Sequence, residues 1–368
     1  MKIDRISAYA LDLPLTDGVY AWSGGHSIAS YDTTIVRVDT SEGTTGWGEV
    51  CPLGPFYLPA YAAGARAGIR ELAPHLIGAN PLELARLNVT MDRALKGHLY
   101  VKSPIDIACW DILGKVAGLP VCEILGGRFG TDFPVYWSVS QDTPNAMVDT
   151  MTRIRESGIR AWQLKVGGPD ETTDIFRIRR AAEAYPDDLI IADGNTGWLP
   201  RQARKVAKAI KGLPVVLEQP CASYENCREI RRMSPLPFVL DECIDDIGPL
   251  IRAVSESALD ILNIKIGKVG GLTKARQMRD LCVSAGISLT IEDMPGGDLT
   301  GATILHLAHS TPQTHLFSVT SSYLKTNRHF AEGGPQVTDG RAAANTAAGL
   351  GVTPDMKMLG LPLFEITA

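Results

Sequence analysis

Leu189-Ile190-Ile191-Ala192-Asp193, Pro214-Val215-Val216-Leu217-Glu218 and Phe238-Val239-Leu240-Asp241 are three short apolar runs, each closing on a carboxylate. Each has the length of a strand buried on both faces, and a helix-length segment follows it. The same unit repeats in both directions. Before the trio come 135–140 (VYWSVS) and 161–166 (AWQLKV); after it come 261–266 (ILNIKI), 288–293 (SLTIED) and 315–320 (HLFSVT). The starts of the eight runs lie 26, 28, 25, 24, 23, 27 and 27 residues apart. Eight α/β units at so even a spacing predict a parallel sheet closed into a (β/α)8-type barrel. An open doubly wound sheet is the competitor. No G-x-G-x-x-G follows an early strand, and eight consecutive units favour closure.

Residues 1–130 carry a different pattern. Segments 2–14 and 31–39 read as strands with partial alternation, Ser41-Glu42-Gly43 as a turn, and Thr45-Gly46-Trp47-Gly48-Glu49 as resumed extended chain. Helical patterns follow around 60–76, 81–95 and 103–117. The last opens with Ser103-Pro104-Ile105-Asp106. That order predicts a capping serine, proline at the first helical position and an acid in the first turn. The expected division is an α+β domain over 1–130, the barrel over 131–321, and a Gly-, Pro-, Ala- and Thr-rich segment over 322–368 that returns to the first domain.

The 368-residue chain has 36 Lys and Arg against 41 Asp and Glu, a formal charge of −5, and its 45% apolar and 21% charged residues are globular proportions. Disorder and collagen-like structure are excluded. Mild acidity without a basic tract argues against a nucleic-acid partner. No apolar run reaches the ~18 residues of a membrane span. The first five residues, Met1-Lys2-Ile3-Asp4-Arg5, lack the apolar h-region of a signal peptide, so no secretory leader is expected. The expectation is a soluble, cytoplasmic protein. Its seven cysteines are odd in number and scattered, with no C-x-x-C, so reduced and mostly buried thiols are expected. His306 and His309 lack an H-E-x-x-H context and read as packing or surface residues.

In a parallel barrel the functional side chains sit at the C-terminal ends of the strands. Strand two ends in Gln163-Leu164-Lys165, three in Asp193-Gly194-Asn195, four in Glu218-Gln219-Pro220, five in Asp241-Glu242, six at Lys265 and seven in Glu292-Asp293. Three consecutive strands thus offer Asp193, Glu218 and Asp241. Like charges so close raise one another's pKa, and a hard divalent cation such as Mg²⁺ removes the conflict. Glu242 is the rival ligand to Asp241. Strand alternation sends the two to opposite faces, so only one is expected to point inward. Lys165 and Lys265 flank the trio. Burial and a nearby cation are expected to lower their pKa and make each a usable general base. This arrangement suits abstraction of the α-proton of a carboxylate: the cation stabilises the enediolate charge, one lysine takes the proton, and the other returns it or protonates a leaving group.

These residues resemble the enolase superfamily, specifically the mandelate racemase/muconate lactonizing enzyme group. The resemblance rests on Gly46-Trp47-Gly48-Glu49, Lys165, Asp193-Gly194-Asn195, Glu218-Gln219-Pro220, Asp241-Glu242, and Lys265 followed by Gly270-Gly271. It implies a modified TIM barrel with an N-terminal capping domain, Mg²⁺ on Asp193, Glu218 and Asp241, and Lys165 and Lys265 as the acid/base pair. The group often carries K-x-K on strand two; here the first position is Gln163, so a second lysine on that strand is missing. Gly97-His98-Leu99-Tyr100, Lys102-Ser103-Pro104-Ile105-Asp106, 270–276 and 349–354 resemble the branch of cis-3-hydroxy-L-proline dehydratases and hydroxyproline-betaine 2-epimerases. Dehydration is favoured, because in cis-3-hydroxy-L-proline the α-hydrogen and the 3-hydroxyl lie on opposite ring faces, where two opposed lysines fit. Epimerisation of a betaine or related amino acid is the alternative; Tyr20, Trp22, Phe56 and Tyr57 offer aromatic surface for a quaternary ammonium. Tyr57, Gln163, Asn195 and Asp293 are the candidate substrate contacts, with Asp298 a further one. Loops 16–30 and 51–58 are expected to form the lid. Barrels of this group assemble, so a homo-oligomer is expected. From other classes, a Schiff-base aldolase using either lysine and a non-catalytic binding barrel remain open.

Overall fold

The structure, a computed structural model, describes residues 1–367. The first unit is a four-stranded sheet. Strands Ile3–Pro14, Ser30–Thr40 and Thr45–Val50 form an antiparallel meander, with Tyr9 opposite Ile35 and Ile35 opposite Glu49. The C-terminal strand Phe364–Thr367 joins its edge, Glu365 opposite Ser7. Helices Ala62–Leu72, Leu84–Ala94 and Leu99–Ala117 cover one face, burying Ile6, Val36, Val38, Ile69, Leu72, Met91 and Ile105 in a core of their own. No helix among the described residues is long and apolar enough to cross a membrane.

The long helix starts at Leu99, a turn earlier than Ser103-Pro104 implies, and runs through Pro104. Ser103 is therefore not its cap. An interior proline costs a helix about 3 kcal/mol. Tyr100 and Val101, buried in the same core, hold the extra turn in place. Asp106 is consequently not a first-turn acid. It instead accepts from the backbone N–H and hydroxyl of Thr273, at 2.9 and 2.6 Å, at the start of the barrel helix Leu272–Ala285.

The barrel is the expected parallel eight-stranded sheet. Its strands are Trp137–Val139, Ala161–Lys165, Leu189–Asp193, Val215–Glu218, Phe238–Leu240, Ile261–Lys265, Ser288–Glu292 and Leu316–Val319, paired in chain order. First and last meet through a single parallel bridge, Tyr136 with Thr320. There Tyr136 N–H donates to the Val319 carbonyl at 2.8 Å, and Ser321 N–H to the Tyr136 carbonyl at 3.1 Å. Ile191, Val216, Val239 and Ile261 plug the interior. Side chains two residues further along a strand share the same face. The plug thus sets Asp193, Glu218 and Asn263 above it, and Lys265 one step higher; Asp241 follows the end of its strand.

Three acids fasten the first unit, two to the barrel and one to the C-terminal segment. Glu49 accepts from the N–H groups of Gly297 (2.8 Å) and Thr300 (2.9 Å), the first turn of helix Asp298–His309. A carboxylate there satisfies orphan donors and meets the positive end of the helix dipole. Asp106 does the same for the preceding barrel helix, and Asp111 accepts from Trp47 N–H (3.0 Å) and Leu350 N–H (2.8 Å). The glycines of the Gly46-Trp47-Gly48 stretch let this strand lie directly on the long helix: a Cβ at Gly48 would sit 2.0 Å from the Pro104 carbonyl oxygen, and one at Gly46 2.1 Å from that of Ala108.

Two outcomes are expected. The obstacle to a side chain at residue 48 is backbone, so Gly48→Ala should cost about 3 kcal/mol, read as a lowered urea midpoint at unchanged slope. His306, enclosed between the Cys122 N–H and the Leu350 carbonyl, is pushed by burial from 6.5 to about 4. The unfolded chain therefore takes up this proton first, and stability falls as pH drops from 6.5 toward 4. The effect is on the order of 3 kcal/mol. His306→Gln should show a flatter stability profile across that window in urea titrations.

Candidate active site

Parallel registry sets polar groups of neighbouring strands side by side. Lys165 lies beside Asp193, Asp193 beside Glu218, and Lys265 beside Glu292. Immediately after two of the acids the chain turns sharply, with left-handed backbone at Asn195 (φ 39°) and Gln219 (φ 30°). Such conformations cost on the order of 1–3 kcal/mol and persist where surrounding contacts impose them. Here Thr196 N–H donates to the Gln219 carbonyl (3.0 Å), and the Gln219 side chain accepts from Asp241 N–H (2.8 Å). One turn thereby positions the acid of the next strand.

The three carboxylates are fully enclosed; Glu218 is 1% exposed and the other two 0%. Lys165 Nζ lies 2.6 Å from Asp193 Oδ2. Lys265 contacts Asp241, and Lys268 Nζ lies 2.8 Å from Asp241 Oδ1. Burial alone would pull Lys165 down, but Asp193 holds it up; Lys265 is likewise held well up by Asp241 against burial. Burial thus acts in the expected direction on both lysines, but the carboxylate against each ammonium outweighs it. Burial would raise Asp241, but Lys265 and Lys268 bring it down to about 2. Glu218 differs. Its two oxygens receive only neutral donors, Gln163 Nε2 at 3.0 Å and Asn263 Nδ2 at 2.7 Å. Burial, then Asp193 and Asp241, push it well up.

This donor set fits a hard divalent cation, being three enclosed carboxylates on consecutive strands, one without a cationic partner. Among the described residues no three acidic, histidine or cysteine side chains already surround a common point as metal ligands. Lysine ammonium groups occupy the faces of Asp193 and Asp241 instead.

Asp241 and Glu242 do not point to opposite faces. Strand five ends at Leu240, so its alternation stops before either acid. Asp241 faces the lysines, and Glu242 Oε1 accepts from Tyr57 Oη (2.8 Å) and Asn195 Nδ2 (2.9 Å). Burial and Asp241 raise Glu242 to about 7. Lys265 Nζ donates to Tyr57 Oη, which links Lys265 to Glu242.

Above the acids lies a small cavity, about 40 Å³, whose lining includes Tyr57, Gln163, Lys165, Asn195, Lys265 and Asp293. The candidate catalytic, metal-holding and substrate-contact residues named from the sequence, all but Asp298, therefore gather at one barrel mouth. Asp293 carries its own constraint: Oδ1 accepts from Gly267 N–H at 2.7 Å, and burial raises it to about 8. Asp298 is elsewhere. It accepts from the N–H groups of Phe330 (2.7 Å) and Ala331 (3.0 Å), and so fastens the C-terminal segment. The roof comes from the first unit. The hairpin Tyr20–Trp22/His26–Ile28 sets Trp22 against Phe56 and Tyr57, and Ser23 Oγ donates to the Asn195 carbonyl at 2.8 Å. Sequence reasoning missed Lys268 and Lys325. Lys268 follows its strand by a short helix, and Lys325 lies beyond the eighth strand, where no strand-end rule applies.

Residues 23–126 match the family described as mandelate racemase / muconate lactonizing enzyme, N-terminal domain, and residues 146–358 match enolase C-terminal domain-like. A cis-3-hydroxy-L-proline dehydratase of Roseibium aggregatum is 47% identical over 364 residues, 99% of each chain. An N-succinyl-L-Arg/Lys racemase of Bacillus cereus is 29% identical over 317 residues, covering 84% of this chain and 85% of that one. Among solved structures, an enolase-superfamily member from Roseovarius nubinhibens complexed with magnesium superposes with a TM-score of 0.94 at 40% identity, covering 100% of both chains.

Proposed function

The chain belongs to the enolase superfamily, in its mandelate racemase/muconate lactonizing enzyme group, and from that premise we propose that it dehydrates cis-3-hydroxy-L-proline to a pyrroline carboxylate. The observation that carries the reading is the pair of enclosed lysines, 165 and 265, set on either side of the carboxylates of 193, 218 and 241 and opening onto one small cavity. The cavity favours a compact ring over a dipeptide or an N-succinyl amino acid.

In this reading Asp193, Glu218 and Asp241 hold Mg²⁺. When bound, the ion supplies positive charge that replaces the lysines as counter-ion to these acids and stabilises developing charge on the substrate carboxylate. Released from its carboxylate, one lysine takes the α-proton as a neutral amine. The electron pair of that C–H bond becomes the Cα–Cβ double bond, and the C–O bond to the 3-hydroxyl breaks. The opposite lysine, as an ammonium, gives its proton to the departing oxygen, so water leaves. Trp22, Tyr57 and the Ser23–Asn195 contact exclude solvent from the amines. Asp293 faces the cavity where the ring ammonium would lie.

Epimerisation at Cα would use the same two lysines, and Tyr20, Trp22 and Tyr57 on the cavity wall favour it for a quaternary ammonium. A Schiff-base aldolase is disfavoured, because both lysines are ion-paired and a nucleophilic amine must be neutral.

Lys165→Ala and Lys265→Ala should each lower turnover of cis-3-hydroxy-L-proline by a factor of about 1,000 or more, with circular dichroism unchanged. NMR in D₂O with Mg²⁺ separates elimination from α-epimerisation, and either variant turning over at the wild-type rate would remove the assignment. Metal binding is read without activity. With Mg²⁺ at ~100 times its Kd, the stability of chelator-treated protein should rise by about 3 kcal/mol. Glu218→Gln should lose that gain, and an equal gain in the variant would place the ion elsewhere.

A further inference from the structure

Lys325 is a lysine the dehydration scheme leaves without work. It is 8% exposed and lines the same cavity as Lys165 and Lys265. A buried ammonium ordinarily has a carboxylate against it. Lys165, Lys265 and Lys268 do, whereas none pairs with Lys325 among the described residues. The acid that bears on it electrostatically is Asp17, which is occupied by Arg153 at 3.1 Å. Its Nζ instead lies 4.7 Å from the ring centre of Tyr20 and 4.5 Å from that of Trp137, and donates to the Ser138 carbonyl at 2.7 Å. One of three N–H groups is thus used. A cation held by ring faces and one carbonyl, beside a cavity, has donors left for an oxygen brought in by a ligand.

The position of Lys325 around the barrel tells which oxygen. The acids of strands three to five define the side where a substrate carboxylate binds. Ser138 on strand one, and Thr320, Ser322 and Lys325 just past strand eight, line the cavity across the mouth from those acids. Ring substituents therefore face this group. Within it, Lys325 belongs to the flank of Lys165. It is joined through Ser138, whose hydroxyl donates to Gln163 Oε1 at 3.0 Å, and Gln163 shares a strand face with Lys165. Tyr20 lies under Lys325 and is electrostatically coupled to Lys165. Lys265 belongs to the other flank, with Tyr57, Asp241 and Glu292.

Resting on the dehydration reading above, we propose that Lys325 binds the leaving hydroxyl of the substrate on the Lys165 face and so determines that elimination, rather than simple α-proton exchange, is the outcome. The balance of the step is unchanged. Lys265 takes the α-proton, the C–H electron pair forms the Cα–Cβ bond, the C–O pair leaves with oxygen, and Lys165 supplies the proton that makes water. Lys325 gives a hydrogen bond to that oxygen and transfers nothing. Burial brings the Lys325 ammonium down to about 7, which accords with a site that gains from an added acceptor. It also offers a cation near Lys165, the proton donor, where strand two has Gln163 in place of lysine.

The test uses the Mg²⁺-loaded enzyme in D₂O with cis-3-hydroxy-L-proline, following by NMR both elimination and deuterium entering Cα of recovered substrate. In Lys325→Met the ratio of exchange to elimination should rise by about 30-fold or more, because the leaving step slows while proton abstraction persists. Lys325→Arg keeps a donor on a similar stem and should stay near the wild-type ratio. A merely structural Lys325 would lower both rates together, and a ratio unchanged in the Met variant overturns the proposal. If the Met variant does not fold, Lys325→Leu, which likewise has no donor, takes its place: its ratio must rise in the same way, and an unchanged ratio there overturns the proposal equally. Wild-type enzyme that shows neither elimination nor exchange on this substrate would remove the dehydration reading itself, a result distinct from either variant outcome.

Discussion

Carboxylates that share a water-poor barrel mouth cannot all stay charged without cations among them, and the rest of the site is arranged around that constraint. Asp193 has Lys165, and Asp241 has Lys265 and Lys268. Glu218, between them in the sheet, has only the amides of Gln163 and Asn263. Two of these ammonium groups, Lys165 and Lys265, are the ones proposed as acid and base. On that proposal, binding a divalent ion and freeing the lysines would be one event, coupling metal binding to catalytic readiness.

The constraint reaches outward through backbone hydrogen bonds. Left-handed turns at Asn195 and Gln219 lead the chain away just past two acids and let the Gln219 amide hold Asp241 N–H. Loops as tight as these need a rigid base, supplied by the apolar plug of Ile191, Val216, Val239 and Ile261. The roof must stay in register with the mouth. Glu49 and Asp106 achieve this by each capping a barrel helix from the first unit. A protein whose lid and barrel are separate sheets thus positions both from the same helix ends.

Much of this was legible in the residues. Runs of near-constant spacing ending in acid or lysine can hardly be other than barrel strands, since the period comes from one strand, one helix and two short turns. Strand pairing is local in such a fold, so the order of polar endings is also their order around the mouth. That logic placed the two lysines and three acids together. It failed at the long helix, where the proline signal at 103–106 was overridden by burial of Tyr100 and Val101. It failed again at Glu242, because alternation ceases where the strand does.

The sequence by itself determined the barrel, the first α+β unit and the ring of charged strand ends, because each follows from spacing along the chain. Tertiary structure alone decided the charge state of the lysines, the inward turn of Glu242 and the presence of Lys268 and Lys325 at the mouth. Those depend on which groups approach through space: Tyr57 reaches Lys265 from 208 residues away, and Lys325 reaches Ser138 from 187. No periodicity links such positions, since they become neighbours only when the sheet closes and the first unit folds over it.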